Sequence, residues 1–564
     1  MKKVLYIFSL IGLLAFSSCA DELNTEPTDK VSGSTIFADA SSAETAINGV
    51  YRMLYVAGWS SNWGSENCGQ TAIQLLGDLM AEDHLMKEQG QGWFYEDYRL
   101  NVHGDYSNKA GRPYSIWNFY YTIVSNVNYI IASENTMGGD PELKNSVVGQ
   151  AYAMRAFAYY YLIQLYQQTY KGHEDAPGVP LYTGATVAGS EGSPRGTVQG
   201  VYTQINSDIE KAIDLLGSIS NKVQTHVSHI DYYVANGIKA RICLTQHDYA
   251  GAATAAAEAL KKPSLKVATI AELGGNNSVK TADVLWGMEI IADQSSGFAS
   301  FFSHMDADAP GMYASKARQC ISTGLYKLIS DTDERKTAWF RGAIPSDEEK
   351  TASSYTSYCQ IKFKMADYTT RTGDYLLMRA EEMILIKAEA ECHQKEYGAA
   401  RTTIKTLGNA RDSKFEERLA ARTDANTYNS DTNAPLETLM DEILFQRRVE
   451  LWGEVGRIFD MQRLGLGYNR NYEGSNHTEK VTTKNTNAAS PLFILPLPQS
   501  EIDGNENITS ADQNPIVQKF INLYNEGKYE TIYNKEICCY IALFGSFYLL
   551  RYRCRRYEIW CKRS

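Results

Sequence analysis

No surplus of basic residues, no apolar run of membrane-spanning length and no CxxC motif occurs in these 564 residues. Each absence removes a class of function. Lys and Arg number 55 against 66 Asp and Glu, a formal net charge of -11. A nucleic acid or an anionic membrane surface is therefore excluded as a partner, because either polyanion needs a concentrated basic patch. Only the extreme C-terminus is basic. The apolar runs at residues 4–16 and 537–550 fall short of the about 20 residues that a spanning helix needs. Cys68, Cys243, Cys320, Cys359 and Cys392 stand singly, without CxxC or Cys/His zinc spacing, and read as buried free thiols. HExxH, the P-loop, GxGxxG opening a helix and the GxSxG elbow are missing. At 44% hydrophobic and 21% charged, the composition is still that of a globular chain and not of a disordered one.

What is present begins at the N-terminus. Lys2 and Lys3 form a positive segment, residues 4–16 an apolar one, and Ser17 and Ser18 put small residues before Cys19. This is signal-peptide grammar over residues 1–18. Small residues directly before a cysteine resemble a bacterial lipobox, in which the thiol is acylated and cleavage leaves it first in the mature chain; Phe16 stands where such boxes usually carry Leu. Cys19 is then the lipid attachment. Each buried methylene contributes about 0.8 kcal/mol, so several acyl chains anchor a protein without a spanning helix. Residues 19–40 form the leader behind it.

From about Arg112 to Lys262 the pattern is helical. Within "GQAYAMRAFAYYYLIQLYQ" (149–167) one face carries Tyr152, Ala156, Tyr159 and Ile163, and another Met154, Ala158, Tyr161 and Leu165. Apolar residues on two faces predict a buried helix. Three more helices follow with alanines at helical spacing, the habit of tetratricopeptide-type (TPR-like) helix pairs, although no clean 34-residue consensus occurs. Residues 265–375 are irregular around a strand-like "DVLWGMEII", and helical blocks return at Arg379–Arg411 and Leu436–Leu464. In the last block Arg447, Glu450, Glu454, Arg457, Asp460 and Arg463 recur every three or four residues and predict one charged stripe on one helix. Two such carboxylates could pass for the acid and base of a glycosidase. A ladder of ion pairs locking the helix to its neighbours is the simpler reading. Glu381, Glu382, Glu389 and Glu391 read as packing and surface charges.

Several stretches occur in one order: "LNTEPTDKVSGSTIFADASSAETAINGVYRML" (23–54), "AMRAFAYYYLIQLY" followed by "GVPL", "YTQINSDIEKAIDLL", "RAEEMILIKAEAE" (379–391), "EILFQRRVELWGEVGRIFDMQRLG" (442–465) and "LFILPLPQSEIDGNENITSADQNP" (492–515). With Cys19 before them, they resemble the SusD/RagB family of lipid-anchored outer-membrane nutrient-binding proteins. The resemblance spans residues 19 to about 518. It implies a mainly α fold of about four TPR-like helix pairs backing irregular, loop-rich ligand-binding regions, divided as residues 41–264 and 265–518. It implies no catalysis and no cofactor. The expected partners are a glycan ligand, a SusC-like TonB-dependent transporter and the outer membrane, with Asp21 and Glu22 similar to the signals that send such lipoproteins to the outer surface. Peptide or other nutrient capture by the same architecture is the alternative, and a surface glycoside hydrolase a weaker one.

Sugars lay their C–H faces on Trp and Tyr rings while their hydroxyls seek Asn, Asp, Gln and Arg. Two early loops fit, one with Trp59, Trp63 and Asn67 and one with Trp93, Tyr95, Asp97 and Arg99; they flank "LLGDLMAED" (75–83), where the family similarly places a Gly-Asp before ligand-side loops. A third segment, 295–313, offers Phe301, Phe302 and Tyr313. Trp117 and Trp286 sit in apolar patterns and read as core. His226 and His229 lack a third metal ligand, and "DADAPG" (306–311) lacks a full oxygen-donor loop, so no metal is expected. Of 38 tyrosines against 18 phenylalanines, most are assigned to helix packing.

The last 46 residues, Lys519 to Ser564, depart from the family pattern. They hold four of the ten cysteines and end in "RYRCRRYEIWCKRS", so they read as a frame-shifted or read-through tail with no role in the fold, ahead of a membrane-touching segment. Mass spectrometry of the chain from native membranes should find Cys19 acylated at its N-terminus and no peptide from 519–564. Recovery of tail peptides would overturn the second expectation.

Overall fold

Capping side chains start the helices that build the core. The computed structural model describes residues 37–57, 64–109, 111–187, 189–345, 356–478 and 489–516, with the backbone of Lys484–Asn485; Cys19, Trp59, Trp63 and the tail beyond 518 lie outside the described residues. Helix α1 (Ala40–Met53) opens on Asp39 and α2 (Gln70–Leu79) on Gly69. They are followed by α3 (Arg112–Ala132) and α4 (Pro141–Tyr166). The Asp140 carboxylate accepts from Leu143 N–H at 2.8 Å, and Pro141 occupies the first turn, where no N–H is needed. Next come α5 (Val198–Ser218), capped by Thr197, α6 (Tyr232–Gln246), capped by Asp231, and α7 (Tyr249–Ala259), capped by Asp248. The later helices are α8 (Ala380–His393), α9 (Tyr397–Gly408), α10 (Leu439–Glu450), which opens on a Thr438/Asp441 capping box, and α11 (Arg457–Arg463).

Each helix from α3 to α9 packs on the next; α1 lies across α3 and α4, α10 backs α8 and α9, and α11 meets α2. The pairs α1/α3, α4/α5, α6/α7 and α8/α9 form the TPR-like array, mainly helical as expected. Helix α4 is buried from Ser146 to Tyr166 at every position but Tyr152. It approaches α5 so closely at Gly149 that a Cβ there would lie 2.9 Å from Leu216 Cγ. Contacts gather the chain through Asn514 into one unit, with Pro515–Ser564 a second. Packing of α7 on α8 therefore carries the core across the 264/265 division.

Short antiparallel ladders join the loops: β1 (His84–Met86) with β5 (Gln319–Ile321), β2 (Pro177–Pro180) with β3 (Arg195–Thr197), and β4 (Val284–Met288) with β6 (Tyr375–Arg379). The strand-like "DVLWGMEII" is β4, and Trp286 is wholly buried there, its indole N–H donating to Ser228 O at 2.8 Å. Trp117 is also core, and the five cysteines named above are buried free thiols.

The charged stripe is corrected by the structure. It lies on two helices, because the chain turns between α10 and α11 with Gly453 and Gly456 at φ 80° and 83°, left-handed conformations that glycine adopts without strain. Asp78 fixes the turn: its carboxylate accepts from Gly453 N–H at 2.5 Å and from Arg457 N–H at 2.6 Å. The Gly77-Asp78 pair is thus a clasp between α2 and this turn. The ion pairs are extensive and buried. Glu450 accepts from Arg335 (3.1 Å), Arg379 (3.1 Å) and Arg411 (2.9 Å), while Glu454 pairs with Arg379 (2.7 Å) and Lys362 (2.5 Å). Arg447 and Arg463 converge on Asp460 at 2.7 and 2.8 Å. Glu381, Glu382, Glu389 and Glu391 are buried as well, not surface charges. Glu381 pairs with Arg411, Glu382 with Arg241, Glu389 with Arg463 and Glu391 with Lys387.

Around Glu450 the carboxylates Asp283, Asp333, Glu381, Glu450 and Glu454 face the cations Arg335, Arg379, Arg411 and Lys362, five against four. Balance calls for one proton. Burial, with Asp283 and Glu450 adding, pushes Glu381 up to about 8 from an ordinary 4.5, against the pull of Arg379 and Arg411. Between those values the folded chain holds a proton that the unfolded chain has released, so stability falls as pH rises through the window. Glu381→Gln should remove that component, so the wild-type-minus-variant stability difference should fall by up to about 1.4 kcal/mol per pH unit as pH rises through the window. Urea unfolding from pH 5 to 8 measures it. A difference curve without slope would place the proton elsewhere.

Candidate functional site

Arg112, the first residue of α3, gathers the two early loops. Its guanidinium makes a forked pair with Asp97 (Nη2 to Oδ2 2.7 Å) and donates from Nη1 to Asn67 Oδ1 at 3.1 Å. It also lies 4.8 Å from the ring centre of Phe94. Phe94 sits at φ 61°, a left-handed conformation costly for a side-chain-bearing residue, and its N–H donates to Glu66 Oε2 at 3.1 Å. Burial lifts the Asp97 carboxyl to about 6 even with Arg112 beside it. The short helix Tyr95–Tyr98 therefore hangs from a desolvated charge pair.

The third segment joins the same cluster through Tyr313. Buried His304 stacks on the Tyr313 ring at 5.1 Å and meets Phe94 edge-on at 4.9 Å. Burial pushes His304 down to about 4, so the ring is neutral and its Nε2–H donates to Ser65 O at 2.7 Å. Trp93 and Phe298 flank Tyr313 at 6.1 and 5.8 Å, and the Tyr313 hydroxyl lies 3.2 Å from Ser65 Oγ. Arg371 caps Phe298 at 4.8 Å. The outcome is a half-exposed aromatic surface with polar groups at its edge: Phe298 is 44% exposed, and Trp93, Tyr95, Arg99 and Tyr313 are partly so.

Of the sequence candidates, Trp93 and Tyr313 stand in this cluster, and Tyr95 and Arg99 are partly exposed on and after the adjoining short helix. Three others are buried. Asn67 and Asp97 are buried under the loops as partners of Arg112, and Phe302 is buried against Tyr375 and beneath Gly373, where a Cβ would lie 2.5 Å from its ring. They brace the surface and offer a ligand no area. Phe301 is buried likewise. Trp59 and Trp63 lie outside the described residues. Sequence reading passed over Phe298 and Arg371, whose pairing joins segments 73 residues apart. It also passed over the anchoring Arg112. Among the described residues no group of His, Cys, Asp and Glu could hold a metal ion; His226 and His229 face each other at 5.5 Å, and Asp306 accepts from the amides of Met365 and Asp308.

The molecule is a helix-pair array carrying a loop-borne aromatic surface, and comparison places it in a class. Residues 49–244 match a family model described as "Starch-binding associating with outer membrane", and residues 206–516 match the SusD family model. The chain belongs to the SusD/RagB family. SusD-like protein P2 of Formosa agariphila is 23% identical over 545 residues, 90% of this chain and 99% of that protein. A solved SusD-like carbohydrate binding protein of Bacteroides vulgatus superposes with TM-score 0.69 at 24% identity, covering 85% of this chain and 99% of that one. Surface glycan-binding protein A of Bacteroides uniformis superposes with TM-score 0.61 at 16% identity, covering 84% and 99%.

Removing Arg112 would leave Asp97 buried and unpaired, so Arg112→Met should cost about 3–5 kcal/mol. Urea unfolding reads the loss, and amide exchange at Asn67 and Phe94 should accelerate with it. Unchanged exchange at those amides would show that the loops are held by something else.

Proposed function

We propose that this protein captures glycans at the outer-membrane surface, tethered through acylated Cys19, and passes them to a SusC-like TonB-dependent transporter over which it closes. The observation that carries the reading is the half-exposed cluster of Trp93, Phe298 and Tyr313 edged by Arg371 and Ser65. Flat rings beside hydrogen-bonding groups suit the C–H faces and hydroxyls of sugars. The family description and the carbohydrate-binding relatives support the same chemistry. Trp59 and Trp63, near Ser65 in sequence but outside the described residues, are proposed as further ligand contacts.

The protein acts by binding, without catalysis. Glu450 and Glu454, the stripe carboxylates that could imitate a glycosidase pair, are buried and committed to Arg335, Arg379, Arg411 and Lys362. No substrate reaches them there, which supports a binding protein over a hydrolase.

Calorimetric titration against oligosaccharides, polysaccharides and peptides should find a saccharide ligand. Phe298→Ala and Tyr313→Ala should each weaken it about tenfold, equivalent to about 1.4 kcal/mol. Phe298→Ala, at an exposed ring, should leave the thermal midpoint unchanged. Binding confined to peptides would replace the glycan reading, and sugar release on long incubation, abolished by a carboxylate substitution, would replace the non-enzymatic one.

A further inference from the structure

A separate cavity lies along the outer stripe of α3. It holds about 290 Å³, against about 30 Å³ for the cavity beside the Arg463 ion pairs. Tyr114, Trp117, Asn118, Tyr121, Ser125 and Asn128 recur at helical spacing and form one wall. Tyr182 and Thr186 of the loop after β2 and Ser500 and Glu501 of the short helix Gln499–Gly504 form the other. None of these residues belongs to the Tyr313 surface.

Three features define its chemistry. The ring walls are fixed: Trp117 and Tyr121 lie 4.7 Å apart, and Tyr121 meets Tyr182 edge-on at 5.7 Å. The polar groups that set the walls are already bonded, with Trp117 Nε1 donating to Glu501 Oε2 (3.3 Å), Tyr121 Oη to Pro180 O (2.8 Å) and Asn128 Nδ2 to Tyr182 O (2.8 Å). The hydroxyls of Tyr114, Ser125, Thr186 and Ser500 have no hydrogen-bond partner among the described residues, and all four line the cleft. A preformed pocket of rigid aromatic faces, unengaged hydroxyls and one carboxylate fits a compact polyhydroxylated ring, and its volume is at the small end of ligand pockets, about 300–1,000 Å³.

We infer that this cleft is a second saccharide site, taking a mono- or disaccharide unit and independent of the Tyr313 surface. Ligand-observed NMR on the full chain would test it with methyl β-glucoside, methyl β-galactoside, methyl α-mannoside, N-acetylglucosamine and lactose as probes. At least one probe should bind saturably. Ser500→Lys, which fills the mouth from an accessible helix, and Tyr114→Ala should weaken it about tenfold or more, equivalent to about 1.4 kcal/mol. Phe298→Ala should leave it unchanged. Binding lost in Phe298→Ala and kept in Ser500→Lys would assign the sugar to the Tyr313 surface, overturning the second site while leaving the main reading intact. Absence of binding by every probe, or binding that survives both cleft variants, would overturn it as well.

Discussion

One buried carboxylate organises the C-terminal half of the molecule. Glu450, at the end of α10, is reached by guanidinium groups from three separate segments, at Arg335, Arg379 and Arg411. Arg379 also begins α8, so the helix array and the irregular region 265–375 share one electrostatic reference point. Desolvating so many charges costs more than most pairings return, and such a cluster contributes chiefly by making every other arrangement worse. Any register shift in β6 would strand Arg379 away from Glu450, Glu454 and Asp283. The segment immediately before β6 carries Arg371, and the strand begins at Tyr375, which packs on Phe302. The ligand-side loops are therefore aligned from the core outward.

Arg112 repeats the device on a smaller scale. It draws Asp97 and Asn67 into the interior, and the backbone of Phe94 bends into a strained conformation to let it happen. Because both early loops close on one guanidinium, Trp93 and Tyr95 are presented without long side-chain searches. A binding surface held this way loses little entropy when a ligand arrives.

Much of the helical frame was legible in local sequence, since the two-faced pattern of α4 and the alanines at helical spacing after it need no distant partner to be read. The turn between α10 and α11 was not. Its charges keep helical spacing across the break, and the Asp78 carboxylate that stabilises the turn comes from α2, hundreds of residues earlier in the chain. The same limit divided the site candidates. Trp93 and Asp97 look alike as loop residues in sequence, yet one keeps a partly exposed ring and the other is buried, and the position of Arg112 separates them.

The excess of tyrosine over phenylalanine has a physical explanation beyond helix packing. A phenylalanine ring can fill the same space, but it cannot hold a loop. Tyr121, Tyr129 and Tyr159 donate to the carbonyls of Pro180, Thr186 and Tyr182 at 2.8, 2.8 and 3.0 Å, stitching the loop after β2 onto α3 and α4. Tyr428 does the same for the end of α11 through Leu464 O at 2.5 Å. Each hydroxyl donates to a main-chain carbonyl at a strand end, in a loop or at a helix end, and so ties that backbone to a helix. Many of the tyrosines are thus consumed in fastening irregular backbone to helices, which is what an array carrying long loops requires. Rings with a free hydroxyl or an exposed face, such as Tyr114 and Tyr313, can be told from the fastened ones only after the partners of the latter are known.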